Sequence, residues 1–84
     1  MNEIRWHKRA KKQLIRIPEK TRTKVFYAVS ELKNFPDCTN VKPLKNHDYD
    51  YRLRVGRYRV LFDYDGEIRI ISIQEVKKRD DRTY

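Results

Sequence analysis

The sequence predicts an α+β domain in which a short N-terminal strand and a two-helix hairpin pack on a C-terminal antiparallel β-sheet. Three observations carry that prediction. Apolar residues recur at helical spacing from residue 7 to 34, they alternate with polar residues from 50 to 76, and two tight-turn signals cut the alternating stretch into three runs. At 84 residues the chain is read as a single domain, 1–84, near the lower size at which one hydrophobic core sustains a fold unaided.

Met1 to Trp6 alternates loosely, with Ile4 and Trp6 on one face, as expected of a short strand leading into the first helix. Trp6 is read as core rather than as a stacking platform. From His7 to about Arg16, Ala10, Leu14 and Ile17 fall at i, i+4 and i+7, while Lys8, Arg9, Lys11, Lys12 and Arg16 take other positions. That spacing predicts an amphipathic and strongly basic helix. Pro18 interrupts it and suits the first turn of a second helix running to about Asn34. Val25, Val29 and Leu32 form the second stripe, Phe26 and Ala28 widen it, and Asn34 with Pro36 supplies a stop. Phe35 to Asp48 has no sustained period and reads as a connecting loop with room for a short strand or turn.

The next stretch, DYRLRVGRYRVLFDYDGEIRIISIQEV, predicts three antiparallel strands. Gly56-Arg57 suits a type II′ hairpin and Asp65-Gly66 a type I′ hairpin. Two-residue turns at both places set Val55 opposite Tyr58 and Tyr64 opposite Glu67. One face then collects Tyr51, Leu53, Val55, Tyr58, Val60, Phe62, Ile73, Ile71 and Arg69, and packs on the helices with the Arg69 head left in water. The other collects Arg52, Arg54, Arg59, Leu61, Ser72 and Ile70, with Arg54 directly across from Arg59. Like charges so placed destabilise a sheet. A phosphate shared by the two guanidinium groups reverses the repulsion, and the paired donors of arginine suit that task.

Lysine and arginine number 21 against 12 acidic residues, a net charge of +9, which favours polyanionic partners such as RNA, DNA or an acidic protein. The single Cys38 rules out an internal disulfide and reads as a small core residue, and no paired Cys/His spacing supports structural zinc. Neither a signal-peptide pattern nor a membrane-length apolar run is present, so a cytoplasmic protein is expected. The third strand leads into Lys77-Lys78-Arg79-Asp80-Asp81-Arg82-Thr83-Tyr84, which brings cations and a ring able to stack on a base to the rim of the arginine face.

PLK at Pro43 to Lys45, YRLRVGRYRVLF at Tyr51 to Phe62 and VKKRDDRTY at Val76 to Tyr84 together resemble the RelE/ParE toxin superfamily, over essentially the whole chain. The resemblance implies the toxin of a bacterial type II toxin-antitoxin pair, neutralised by an acidic antitoxin in a heteromeric complex. In the RelE branch it implies a ribosome-dependent endoribonuclease that cuts messenger RNA without metal or cofactor, with ribosomal RNA contacted through the basic surface. Carried over residue by residue, it points to Arg52 and Arg54, Arg59, Lys78 or Arg79, and Tyr84; Arg59, Lys78, Arg79 and Tyr84 are the catalytic candidates, and Arg52, Arg54, Lys45, Lys77 and Arg82 the candidates for binding RNA.

The chemistry such a set supports is attack of a ribose 2′-OH on the adjacent phosphate, with Arg59 and Arg54 stabilising charge on the phosphoryl oxygens. Arginine cannot act as the base, which leaves Lys78 or Tyr84 as the proton acceptor. Some relatives carry a histidine before the terminal tyrosine and this tail has none; His47 has a suitable proton affinity but reads as a solvated loop residue. Two rival functions keep the same fold: a ParE-like inhibitor of DNA gyrase, and a plain RNA-binding module.

Overall fold

The computed structural model describes residues 1–79. Strand β1 (Glu3–Trp6) leads into helix α1 (Lys8–Ile15) and helix α2 (Glu19–Ser30), followed by β2 (Val41–Pro43), β3 (Tyr51–Val55), β4 (Tyr58–Asp65) and β5 (Ile70–Lys78). The sheet is five-stranded and mixed, in the order β1-β5-β4-β3-β2. It extends the expected three strands at both edges: β1 runs parallel to β5, with Ile4 beside Ile71 and Trp6 beside Ile73, and β2 runs antiparallel to β3.

Both helices lie where the apolar stripes predict. Pro18 caps α2 with its fixed φ of −54°, and Glu19 places a carboxylate at the positive end of the helix dipole. A 3₁₀ turn over Glu31–Asn34 completes the expected span. The core joins Ala10, Ile17, Val25, Val29 and Leu32 from the helical half to Leu53, Val60, Phe62, Ile71, Ile73 and Val76 from the sheet. Phe26 departs from expectation: it is 49 % exposed and stacks on Trp6 at 6.4 Å, because the stripe closing on the sheet is the narrower one through Val25, Val29 and Leu32. Trp6 itself packs against the core, as expected. Phe35 fills the far end of the core, edge-on to Tyr51, Phe62 and Tyr64.

The first hairpin matches expectation. Gly56 has φ +56°, the conformation that the first central position of a type II′ turn demands, and Val55 faces Tyr58. The second does not. Its turn is four residues, Gly66 to Arg69, with Arg69 at φ +53°, and Asp65 pairs with Ile70 instead of Tyr64 with Glu67. The Asp65 carboxylate accepts the backbone N–H groups of Glu67 at 3.0 Å and Ile68 at 3.4 Å, a local stabilisation of the longer turn. In the expected register Arg69 stands opposite Phe62 on the core face; in the observed one Ile73 takes that place and Arg69 stays exposed in the turn. Burial of an aliphatic chain, on the order of 1.5–3 kcal/mol, outweighs the two-residue turn's preference.

A β-bulge then changes what β5 presents. Phe62 faces Ile73, but Leu61 faces Glu75, so Gln74 is the extra residue. Without it Glu75 and Lys77 fall on the core face and Val76 on the other; with it Val76 is buried opposite Val60, and Glu75 and Lys77 turn outward. At the bulge α1 reaches the sheet, where Gln13 Oε1 accepts the Val76 N–H at 2.7 Å.

Candidate phosphate-binding face

On the face turned away from the helices, the register sets Arg54 opposite Arg59 and Arg59 opposite Lys77. Three cations thus form one row across β3, β4 and β5. The neighbouring row runs Lys42, Arg52, Leu61, Glu75 from β2 to β5. Burial lowers the proton affinity of the Arg59 guanidinium, and the charges of Arg52, Arg79 and Arg54 lower it further. Among the described residues the buried Arg52 Nε has no hydrogen-bond partner, beside other positive charge. Like charges directly opposite cost a sheet stability.

A second cationic surface adjoins this one. Helix α1 carries Lys8, Arg9 and Lys11 in its first turns, against the sign its dipole prefers there, with no acidic residue among them and no side-chain cap. Lys8, Arg9, Lys12 and Arg16 line a cleft of about 520 Å³ whose other wall is Glu75. Glu75 therefore stands where the row and the helix meet. Its side chain is only 12 % exposed and pairs with Lys77 at 3.7 Å. Tyr49 arrives from the loop before β3; burial and the neighbouring Glu75 carboxylate hold its phenol above the ordinary proton affinity, with Arg9 opposing.

Of the residues expected to act, Arg52, Arg54, Arg59 and Lys77 share this face, and Arg79 lies close enough for its charge to act on Arg59. The Arg79 N–H donates to the carbonyl of Arg57 at 2.6 Å, tying the end of β5 to the first hairpin turn. Lys78 pairs with Tyr58 and alternates to the opposite face from Arg59, a consequence of the bulge that the plain count did not include. Lys45 is exposed in the loop before β3. His47 is exposed there too, and its Nδ1 accepts the Tyr49 N–H at 3.2 Å. Arg82 and Tyr84 lie outside the described residues.

Sequence counting missed Glu75 and Tyr49. A signal for Glu75 was present: the buried apolar positions of β5 run 71, 73, 76, and the break in the period of two marks the bulge. Tyr49 left no such mark, since its position depends on how the loop folds back. The opposite end of the same face is acidic, with Asp48, Asp50, Asp63, Asp65 and Glu67 gathered around a shallow hollow. Three of those carboxylates have structural partners: Asp63 accepts the Asp50 N–H at 2.8 Å and the Gln74 amide at 3.1 Å, Asp50 accepts the Tyr64 N–H at 3.4 Å, and Asp65 accepts the two turn N–H groups already described. The face is thus polarised, cationic toward the first hairpin turn and anionic toward the second.

Comparison with known proteins converges on one family. The family model described as the ParE toxin of type II toxin-antitoxin systems, parDE, matches residues 4–82. A protein of Methanocaldococcus jannaschii that bears the toxin name RelE1 is 32 % identical over 77 residues, covering 88 % of this chain and 86 % of its own. Among solved structures, the toxin-antitoxin complex RelBE2 of Mycobacterium tuberculosis matches with a TM-score of 0.79 at 25 % identity, over 93 % of this chain and 98 % of that one. The archaeal RelE-RelB complex of Pyrococcus horikoshii matches with a TM-score of 0.80 at 25 % identity, over 95 % and 97 % of the two chains. The isolated Escherichia coli RelE toxin shares the fold, with a TM-score of 0.79 at 16 % identity over 95 % of this chain and 86 % of that one.

Proposed function

The chain belongs to the RelE/ParE toxin superfamily, and from that premise we propose that it is the toxin of a RelBE-type pair and acts by cutting messenger RNA on the ribosome. The observation that carries this reading is the row Arg54, Arg59, Lys77, in which like charges stand opposite one another at a cost that a bound phosphate turns into a gain. The scissile phosphate lies on the row. Attack by the neighbouring ribose 2′-OH forms the O2′–P bond as the P–O5′ bond breaks, giving a 2′,3′-cyclic phosphate and a 5′-hydroxyl. Negative charge grows on the phosphoryl oxygens during this step, and fixed guanidinium donors stabilise it most where water is excluded.

The cationic flank of α1, Lys8, Arg9, Lys12 and Arg16, supplies a second stretch of positive surface for the ribosomal RNA that presents the message. A cognate antitoxin covers the same surface with an acidic segment, in a heteromeric complex; the solved RelE-RelB assemblies support a partner of this kind. Such a toxin works in the cytoplasm, where its ribosomes are.

Cleavage of messenger RNA on programmed ribosomes by wild type and by Arg59→Ala tests the reading, with the folding of both checked by circular dichroism. Loss of one fixed donor to developing charge costs about 100- to 1,000-fold in rate, and that fall is expected for Arg59→Ala. Equal cutting by both proteins refutes the role given to the row, and no cutting by wild type refutes the nuclease. The matching family model carries the ParE name, so inhibition of DNA gyrase without RNA cleavage is the second reading, and a supercoiling assay on the same preparations detects it.

A further inference from the structure

We propose that Glu75 is the general base of the reaction, taking the proton from the attacking 2′-OH; this rests on the nuclease reading above. Three independent observations meet at this residue. The bulge at Gln74 turns Glu75 out of the core face and onto the cationic one, beside the row that binds phosphate. Its side chain is largely withdrawn from water, 12 % exposed, yet it pairs with the Lys77 ammonium at 3.7 Å, a cation that orients the carboxylate. And it is the acidic wall of a cleft otherwise lined by Gln13 and the cations Lys8, Arg9, Lys12 and Arg16.

The arginines of the face donate to a phosphate and stabilise its charge, but arginine cannot act as the proton acceptor. A carboxylate can. Glu75 and Lys77 stand two residues apart on one side of β5, roughly 6.6 Å along the strand. A phosphate held by Lys77 and Arg59 therefore sets the adjoining ribose near Glu75. As the O2′–P bond forms, the 2′ proton passes to a Glu75 carboxylate oxygen; as the P–O5′ bond breaks, the leaving 5′ oxygen takes a proton from water, and Glu75 later returns its own to solvent. Lys77 holds the carboxylate in place while this occurs. The assignment needs neither Lys78, which points to the other face, nor any residue beyond 79.

The test is single-turnover cleavage on programmed ribosomes across pH by wild type, Glu75→Gln and Glu75→Asp, with thermal midpoints and ribosome binding measured alongside. General-base catalysis contributes about 100- to 10,000-fold. Glu75→Gln is expected to lose at least about 100-fold and to lose the fall in rate toward low pH, while it still binds ribosomes. Glu75→Asp is expected to retain that acid limb at a reduced rate. A Glu75→Gln rate equal to wild type overturns the proposal, as does a slow rate that keeps the acid limb, which assigns Glu75 a structural role. Wild type that cuts no RNA overturns the nuclease reading itself, and this inference with it.

Discussion

Phe62 and Ile73 meet across β4 and β5 on one face of the sheet, both fully buried; Arg59 and Lys77 meet across the same two strands on the other, both cationic. The first pairing is what a fold selects for itself, since each member removes apolar surface from water. The second works against the fold. One sheet thus carries a face held together by apolar burial and a face on which like charges stand directly opposite one another. The lesson is that polar alternation alone does not tell these two kinds of face apart; the sign of the directly opposed partners does.

That contrast breaks most visibly at Phe62. Phe62→Ala is expected to cost about 3–5 kcal/mol, a large share of a small domain's stability, read as a fall in the urea midpoint. Cleavage per folded molecule should hardly change, and a protein that keeps its midpoint but loses its cutting would erase the division between the faces. On the other side the sign reverses. Arg54→Gln removes a like-charge opposition worth about 0.2–1 kcal/mol, so its midpoint should rise by that amount at low salt. The gain should shrink at high salt as the charges are screened. A fall in the midpoint at low salt would mean that Arg54 contributes to the fold. The smallest effect concerns Cys38, whose thiol is held above its ordinary proton affinity by burial and by the charges of Asp37 and Glu31. A higher proton affinity leaves less thiolate at neutral pH, so alkylation by iodoacetamide should be slower than for a free thiol and should speed up as pH rises. Rapid labelling at pH 7 would show that the site opens.

The helical half and the first hairpin were legible because local rules decided them: Pro18 opened α2, Gly56 fixed its turn, and the Arg54–Arg59 opposition followed by counting. The second hairpin was not, because Asp65-Gly66 fits a two-residue turn as well as the first part of a four-residue one, and the choice was made by Ile73 entering the core beside Phe62. That displacement was an even number of residues, so Ile71 and Ile73 kept their expected face while every partner changed. The bulge that follows then moved Lys77 and Glu75 together onto the cationic face and Lys78 off it. Arg52, Arg54 and Arg59 were therefore readable as a set, whereas the contribution of β5 depended on a single extra residue. Pairing of β1 alongside β5 was hidden for another reason: parallel neighbours are joined by the whole helical hairpin, and four residues of weak alternation do not name their partner.

The contact between Gln13 and the Val76 N–H bears on how the protein avoids itself. Beyond Trp6, strand β5 has no strand partner on its β1 side among the described residues, and an exposed ladder there invites a second copy to add on. Helix α1 covers that stretch and occupies its donor. The outermost strands are short, four residues in β1 and three in β2, the latter closing on Pro43, which has no N–H to offer. Edge-to-edge growth thus finds little template at either side, and a chain with this much β-structure can stay apart from its neighbours while its broad faces remain available to other molecules.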